Sequence, residues 1–248
     1  MAATALRRRL SWQLATVEAI SRETHRVRRI HLALTGWPGH RPGQHVDVRL
    51  TAEDGYTAQR SYSIASAPSH SGVDLIVERL DDGEVSPYLT EVLQPGDQLE
   101  LRGPIGGYFV WPEHRTEPVQ LIAGGSGVVP FLAMIAHHQS THSTTPLSLL
   151  YSVRSEHEHI GCPELAPRPG LDVTVTYTRT APPGWVGPTG RLDRSKLERH
   201  LVGTERHPAI FVCGSTPFVE TVATGLLALG YPSSSVKTER YGGTGDRT

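Results

Sequence analysis

The chain has 248 residues, with 24 basic against 25 acidic side chains and 38% hydrophobic residues. A net charge of −1 argues against a nucleic-acid binder held by counterion release and against a polybasic membrane surface, while the length allows one or two domains, each with a real core. Two cysteines, Cys162 and Cys213, are too few for a disulfide framework, an iron–sulfur centre or a four-cysteine zinc site.

Arg7-Arg8-Arg9 could open a twin-arginine signal, but Ser11 to Glu18 is too polar for the apolar region that must follow. No window of about 18 apolar residues is present either, so the expectation is a cytoplasmic protein with reduced thiols and no membrane insertion. The 25 glycines and 19 prolines point to many turns and short strands. Trp12 to Val17 and Val27 to Leu34 alternate with period two. Pro42-Gly43 turns into Gln44 to Leu50, and Arg60 to Ile64, Val73 to Leu80 and Gln98 to Arg102 follow. Six strands at this spacing predict an antiparallel barrel. One helix interrupts it, with Ser86 as the N-cap, Pro87 in the first helical position and Leu89 and Leu93 on the apolar face.

The period then changes. Val119 to Ala123 reads as a buried strand that passes through Gly124-Gly125-Ser126-Gly127 into a helix from Pro130 to His138. Leu147 to Tyr151 and Val173 to Tyr177 are strands, and the proline-rich stretch Ser155 to Pro169 between them argues against a full helix. Asp193 caps a short helix to Leu201. Ala209 to Cys213 is a strand, Pro217 to Leu229 a helix closed by Gly230, and Val236 to Tyr241 a last strand. Alternating strands and helices imply a parallel sheet covered on both faces. The expected fold class is β + α/β, with a boundary near Pro112 to Pro118 that divides the chain into residues 1–113 and 117–248.

Four local patterns carry candidate chemistry. In Arg60-Ser61-Tyr62-Ser63 a strand would put Arg60 and Tyr62 on one face, a fixed cation beside an aromatic ring, suited to a phosphate and a flat heterocycle. Gly83-Glu84-Val85-Ser86-Pro87 feeds a helix N-terminus, where free N–H groups meet an anion. Leu121 to Pro130 gives the strand, glycine turn and helix of a dinucleotide site, with Pro130 where GxGxxG has its third glycine. Finally, Cys213-Gly214 would sit at the carboxyl end of a parallel strand, where ligands bind, and Thr238-Glu239-Arg240-Tyr241-Gly242 ends the pattern.

In this order, RxYS, GxxS, GGxGxxP, CGxxxF and the ERYG ending resemble the ferredoxin–NADP+ reductase family of flavoproteins over almost the whole chain, from about Leu14 to Gly242. Gly103 to Phe109 is similar to the GPxGxF segment that closes that family's flavin barrel, and Trp185 to Arg191 to the segment before its penultimate helix. The resemblance implies an FAD-binding barrel followed by a nucleotide-binding α/β domain. It implies that Arg60 pairs with the FAD pyrophosphate, Tyr62 lies on the isoalloxazine, and Ser61 and Ser63 stand beside it, with the Ser63 hydroxyl near flavin N5. Backbone groups around Val77, Glu78 and Arg79 would follow the ribityl chain, and Gly83, Val85 and Ser86 would hold the pyrophosphate on the helix N-terminus. Gly124, Gly125, Gly127, Val128 and Pro130 would receive the nicotinamide half of the second dinucleotide, next to Gly214. Ser63, Cys213 and Glu239 would orient the rings where the nicotinamide meets the flavin. Val129 departs from a frequent threonine. Tyr241 is similar to the aromatic that covers the flavin in plant-type members, whereas bacterial members continue past it, and both placements stay open.

The function implied is hydride transfer from NADPH to FAD, followed by single-electron delivery to a protein such as ferredoxin, flavodoxin or a redox enzyme, by a monomer. A flavin or quinone reductase, an electron-transfer subunit of a larger complex and a non-catalytic flavin-binding module are the alternatives. Arg154, Arg179 and Arg191, with Thr178, lie near strand ends that should converge, and would clamp the 2′-phosphate of NADPH; NADH is the lesser alternative, with Glu156 as the acid that would favour its ribose. His137, His138 and His142, and His157 with His159, lack carboxylate or cysteine partners at useful spacing, so no metal site is expected. No G-x-S-x-G occurs, which removes a serine hydrolase.

Overall fold

The computed structural model describes residues 10–112, 115–166 and 168–241. The triple arginine, Gly242 and two residues of the expected boundary lie outside the described residues. In the first half, β1 (Trp12–Arg22), β2 (Val27–Leu34), β3 (His45–Thr51), β4 (Thr57–Ser63), β5 (Val73–Glu78) and β6 (Gln98–Ile105) form one antiparallel sheet in the order β4-β3-β6-β1-β2-β5. A bridge between Ile64 and Leu75 joins its two edges and closes a barrel. Alternation supplies the interior: Ala15, Ile30, Leu32, Val46, Val48 and Leu101 are fully buried in one cluster. Each large side chain there contributes about 1.5–3 kcal/mol by leaving water.

Two first-half expectations need correction. β1 continues five residues past Val17, because a register shift between Val17 and Ala19 makes Glu18 an extra residue and restarts the alternation in the other phase. Ser86 does not cap its helix. Its hydroxyl instead accepts from the Leu80 amide at 3.0 Å, and the segment widens into a π-type turn, Tyr88–Val92, without a side-chain cap. Leu89 and Leu93 are buried there as the apolar spacing requires.

In the second half β7 (Val119–Gly124), β8 (Leu147–Ser155), β9 (Leu171–Thr180), β10 (Ala209–Ser215) and β11 (Val236–Tyr241) are parallel, in the order β11-β10-β7-β8-β9. α1 (Val129–Ser140), α2 (Arg194–His200) and α3 (Thr216–Ala228) cross over it. The order reverses between β7 and β10, which opens a crevice at their carboxyl ends. Among its described residues, the link from β8 to β9 carries the short 3-10 turn Glu156–Glu158 and no longer helix. Asp193 caps α2 by accepting from the Lys196 amide at 2.9 Å, and Gly230, at φ +88°, closes α3. Among the described residues no helix is long and apolar enough to cross a membrane.

The halves meet across an apolar seam. Val27, Ile76, Phe109 and Trp111 from the first half are buried in the same cluster as Val129 and Phe131 of α1 and Phe211 of β10. The Phe109 ring lies 5.9 Å from that of Phe131 and 5.3 Å, edge-on, from that of Phe211. Gly43, at φ +94°, passes beneath it: a Cβ there would stand 2.0 Å from the Phe109 carbonyl oxygen. At one edge Arg29 reaches from the barrel to Glu164 at 2.5 Å, and Glu23 accepts from the Gly161 amide at 3.1 Å. These contacts fix the angle at which the two crevice walls face each other.

Candidate functional site

Two cavities follow the seam. The first, of about 710 Å³, is walled on the barrel side by Arg60, Ser61, Tyr62 and Ser63 of β4 and by the turn Gly83, Val85 and Ser86. Its far wall is Ser126, Pro130, Cys213, Glu239 and Tyr241. All four residues of RxYS reach it, because β4 is an edge strand of the sheet and the cavity wraps around that edge. Arg60 stands half exposed at the mouth and ion-pairs with Glu84 at 2.6 Å, while Tyr56 donates to the other Glu84 oxygen at 2.5 Å. These two donors, Tyr56 first, hold the Glu84 carboxyl below its usual range. Ser61 donates to Asp47 at 2.7 Å, and Arg102 closes on Asp47 from the other side at 2.6 Å. Burial pushes the Tyr62 hydroxyl up to about 12, so the ring presents a neutral phenol.

The inner end of this cavity is built by strand register. Cys213 and Glu239 are opposite one another on β10 and β11, and Ser63 donates across the seam to Glu239 at 3.5 Å. Burial raises the Glu239 carboxyl to about 7. Cys213 is buried, and desolvation keeps it a thiol. Tyr241 donates to the Gly124 carbonyl oxygen at 2.6 Å, which holds its ring between the first cavity and the second.

The second cavity, of about 560 Å³, lies at the carboxyl ends of β7, β8 and β9. Gly124, Gly125 and Ser126 form its floor, and Arg154, Thr178, Arg179 and Arg191 stand together on its wall. The acid facing Arg154 is Glu158, at 3.8 Å. Glu156, the residue expected there, does not line the cavity: the turn Glu156–Glu158 carries it past the edge and aims Glu158 inward.

Several of the expected contact residues have packing roles. Gly127 lines neither cavity; a Cβ on it would stand 2.2 Å from the Cys213 carbonyl oxygen, so its role is close approach of the glycine turn to β10. Gly214 and Gly124 are packed by the Phe218 ring, where a Cβ would stand 2.5 Å and 2.8 Å from ring atoms. The aromatic in CGxxxF thus fills the space that two glycines leave. Val128 is fully buried beneath the turn. The Val77 side chain points into the barrel core and that of Arg79 turns outward to Glu91 and Asp81, while Glu78 lines both cavities. Unforeseen on the first cavity's wall are His45 and Glu84. Burial lowers the His45 imidazole. Glu84 could have been found in the sequence as the acid inside an otherwise anion-binding turn.

The donor set of the first cavity fits an FAD molecule. It offers a cation and an uncapped amide turn for two phosphates, a phenol ring for a flat heterocycle, and a volume within the usual ligand-pocket range. The second, with backbone glycines and three arginines, fits a phosphorylated nucleotide. Residues 11–110 match the family model of the oxidoreductase FAD-binding domain, and residues 121–224 that of the oxidoreductase NAD-binding domain. The chain is 32% identical over 211 residues to the glycine betaine monooxygenase reductase subunit of Chromohalobacter salexigens, covering 82% of this chain and 56% of that protein. It is 30% identical over 200 residues to NADH-cytochrome b5 reductase 1 of Aspergillus terreus, covering 76% of this chain and 67% of the relative. The flavohem-like FAD/NAD binding domain of nitric oxide dioxygenase from Vibrio cholerae superposes with a TM-score of 0.82 at 24% identity, covering 93% of this chain and 99% of that one, a likeness of fold.

Proposed function

The chain belongs to the ferredoxin–NADP+ reductase family of NAD(P)H-dependent oxidoreductases that bind FAD, and from that premise we propose that it passes electrons from NADPH to a one-electron acceptor protein. Residues 1–113 would hold FAD and residues 117–248 the nicotinamide nucleotide. When bound, FAD would supply the chemistry that accepts a hydride and releases electrons one at a time. The chain's own part is positioning. Arg60 and the Gly83–Ser86 turn would bind the pyrophosphate, and Tyr62 the ring system. Phe109 and its aromatic neighbours exclude water from the seam. Ser63 donates to Glu239 at 3.5 Å, and burial raises that carboxyl to about 7. Cys213 keeps its small neutral thiol at the same point.

The observation that carries this is the meeting of the two cavities at Ser126 and Tyr241, with Ser63, Cys213 and Glu239 on the inner wall of the first. A protein acceptor is favoured over free flavin or quinone because the two named relatives are a monooxygenase reductase subunit and a cytochrome b5 reductase. NADPH is favoured over NADH by Arg154, Arg179 and Arg191 on one wall. The test is anaerobic titration of the purified yellow protein with NADPH, followed by stopped-flow mixing with oxidised ferredoxin. The expected result is loss of the flavin absorbance and its return on mixing. Bleaching followed by fast reoxidation with free flavin alone would favour a small-molecule reductase, and no bleaching at all would reject the reading.

A further inference from the structure

Away from both cavities, on the outer face of the barrel, three side chains converge that hydride transfer does not use. His31 of β2 and Asp74 of β5 are directly opposite in the strand register, with His31 Nδ1 2.7 Å from Asp74 Oδ1. His70, in the turn leading into β5, brings Nε2 to 3.6 Å from the same oxygen. One ligand atom from each residue lies within 4.8 Å of the other two. We infer that His31, His70 and Asp74 form a binding site for a divalent transition-metal ion of the zinc class.

Two imidazole nitrogens and one carboxylate oxygen are a zinc donor set that leaves a fourth position for water. The surroundings are built around these three groups. Gly72, at φ +78°, lets the turn close over the His31 ring: a Cβ there would stand 2.5 Å from the Leu32 carbonyl oxygen and 3.0 Å from His31 Cε1. Asp74 is buried, its amide donates to Ser66 Oγ at 3.0 Å, and Arg29 lies 3.4 Å from its Oδ2, which leaves Oδ1 for the histidines. The bulge in β1 swings Glu18 outward, with Oε2 3.2 Å from His31 Nε2. With Nδ1 as the ligand, Nε2–H would face a carboxylate, the second contact that fixes the tautomer and ring of a metal-bound histidine. Glu23, Asp74 and Glu164 surround Arg29, and Glu18 adds a fourth acid beside His31, a negative surplus that a dication neutralises. His70 is 47% exposed, so an ion can enter from solvent.

The experiment is calorimetric titration of zinc chloride into the full FAD-loaded chain, stripped with EDTA and desalted, beside His70→Ala, His31→Asn, Glu18→Gln and a His137→Ala/His157→Ala control. The expected result is one site per chain, lost in His70→Ala and His31→Asn and weakened about 10-fold in Glu18→Gln, with the control unchanged. Melting of His70→Ala in EDTA at the wild-type temperature would show that ligand loss, not unfolding, removed the binding. Absence of zinc binding, equal affinity in wild type and His70→Ala, or loss in the control would overturn the assignment.

Discussion

The two cavities treat their cations differently. Arg60, at the mouth of the first, is already paired with Glu84, and beside it Ser61 is committed to Asp47 and Ser86 to the Leu80 amide. In the second cavity Arg154 has only Glu158, at 3.8 Å, and among the described residues Arg179 and Arg191 make no ion pair. The first site is thus preassembled by internal partners that an entering pyrophosphate would have to exchange. The second gathers like charges at a cost in repulsion, which an anion would relieve. Internal partners hold a resident cofactor's site in shape between synthesis and loading, whereas an open cluster suits a nucleotide that arrives and leaves on every cycle.

If the open cluster is a phosphate clamp, removing it should give the largest effect. Arg154→Ala/Arg179→Ala should lower kcat/KM for NADPH by about 10²-fold, from two charge-assisted contacts at about 1–1.5 kcal/mol each, while leaving NADH turnover within about 3-fold. Steady-state kinetics with both nucleotides decides it. Equal losses with the two would make the arginines structural and erase the contrast between the cavities.

The next effect comes from Glu239, an acid on the inner wall of the first cavity with no cationic partner among the described residues. Burial raises Glu239 to about 7 from an ordinary 4.5, and Ser63 only partly opposes this. The folded state therefore holds a proton between pH 4.5 and 7 that the unfolded chain has released, so this group's contribution to stability is full below about pH 4.5 and is lost as pH rises through 7. The loss should be on the order of 2 kcal/mol. Melting temperatures from pH 5 to 8 should fall more steeply in wild type than in Glu239→Gln. Parallel curves would mean that Glu239 is solvated and ionised in the folded protein.

Most of the second half could be read from its sequence, because β7, β8 and β10 are mainly apolar runs and caps or glycines mark the helix ends. Asp193 and Gly230 mark helix ends where they fall. The convergence of Arg154 and Arg179 followed from the adjacency of β8 and β9. The barrel was harder. Alternation gave strands but not the order β4-β3-β6-β1-β2-β5, which depends on long-range pairing. The bulge at Glu18 broke the period, and so hid the second half of β1. Ser86 has the residue type of a cap, yet a backbone amide six residues earlier captured its hydroxyl. His31, His70 and Asp74 come from a strand, a turn and another strand, so no local motif marks them.

Arg60→Ala tests the preassembled site directly. A charge-assisted hydrogen bond to phosphate is worth about 1.5–3 kcal/mol, and the exposed Glu84 pair given up on binding returns about 0.2–1 kcal/mol. The difference predicts FAD binding about 10-fold weaker, read from the flavin retained on dilution or from fluorescence titration of the apoprotein. Retention equal to wild type would assign Arg60 to the surface.

Glu84→Gln should give the smallest effect, with the opposite sign. On this reading Glu84 would compete with the pyrophosphate for Arg60, and its own negative charge lies in the same turn that would cradle the phosphates. Gln removes the charge and keeps the shape, and it can still accept from Tyr56. The exposed pair it weakens is worth only a few tenths of a kcal/mol up to about 1 kcal/mol, so FAD should bind about 3-fold tighter, with the gain shrinking at high salt as screening removes the competition. In an Arg60→Ala background the same substitution should lose the part of its effect that runs through the guanidinium, and this coupling separates competition for Arg60 from simple repulsion of phosphate. Weaker FAD binding in Glu84→Gln would reverse the assignment: Glu84 would then be the residue that aims Arg60 at the cofactor, and the first cavity's internal pairs would be scaffolding, not a pair to be exchanged.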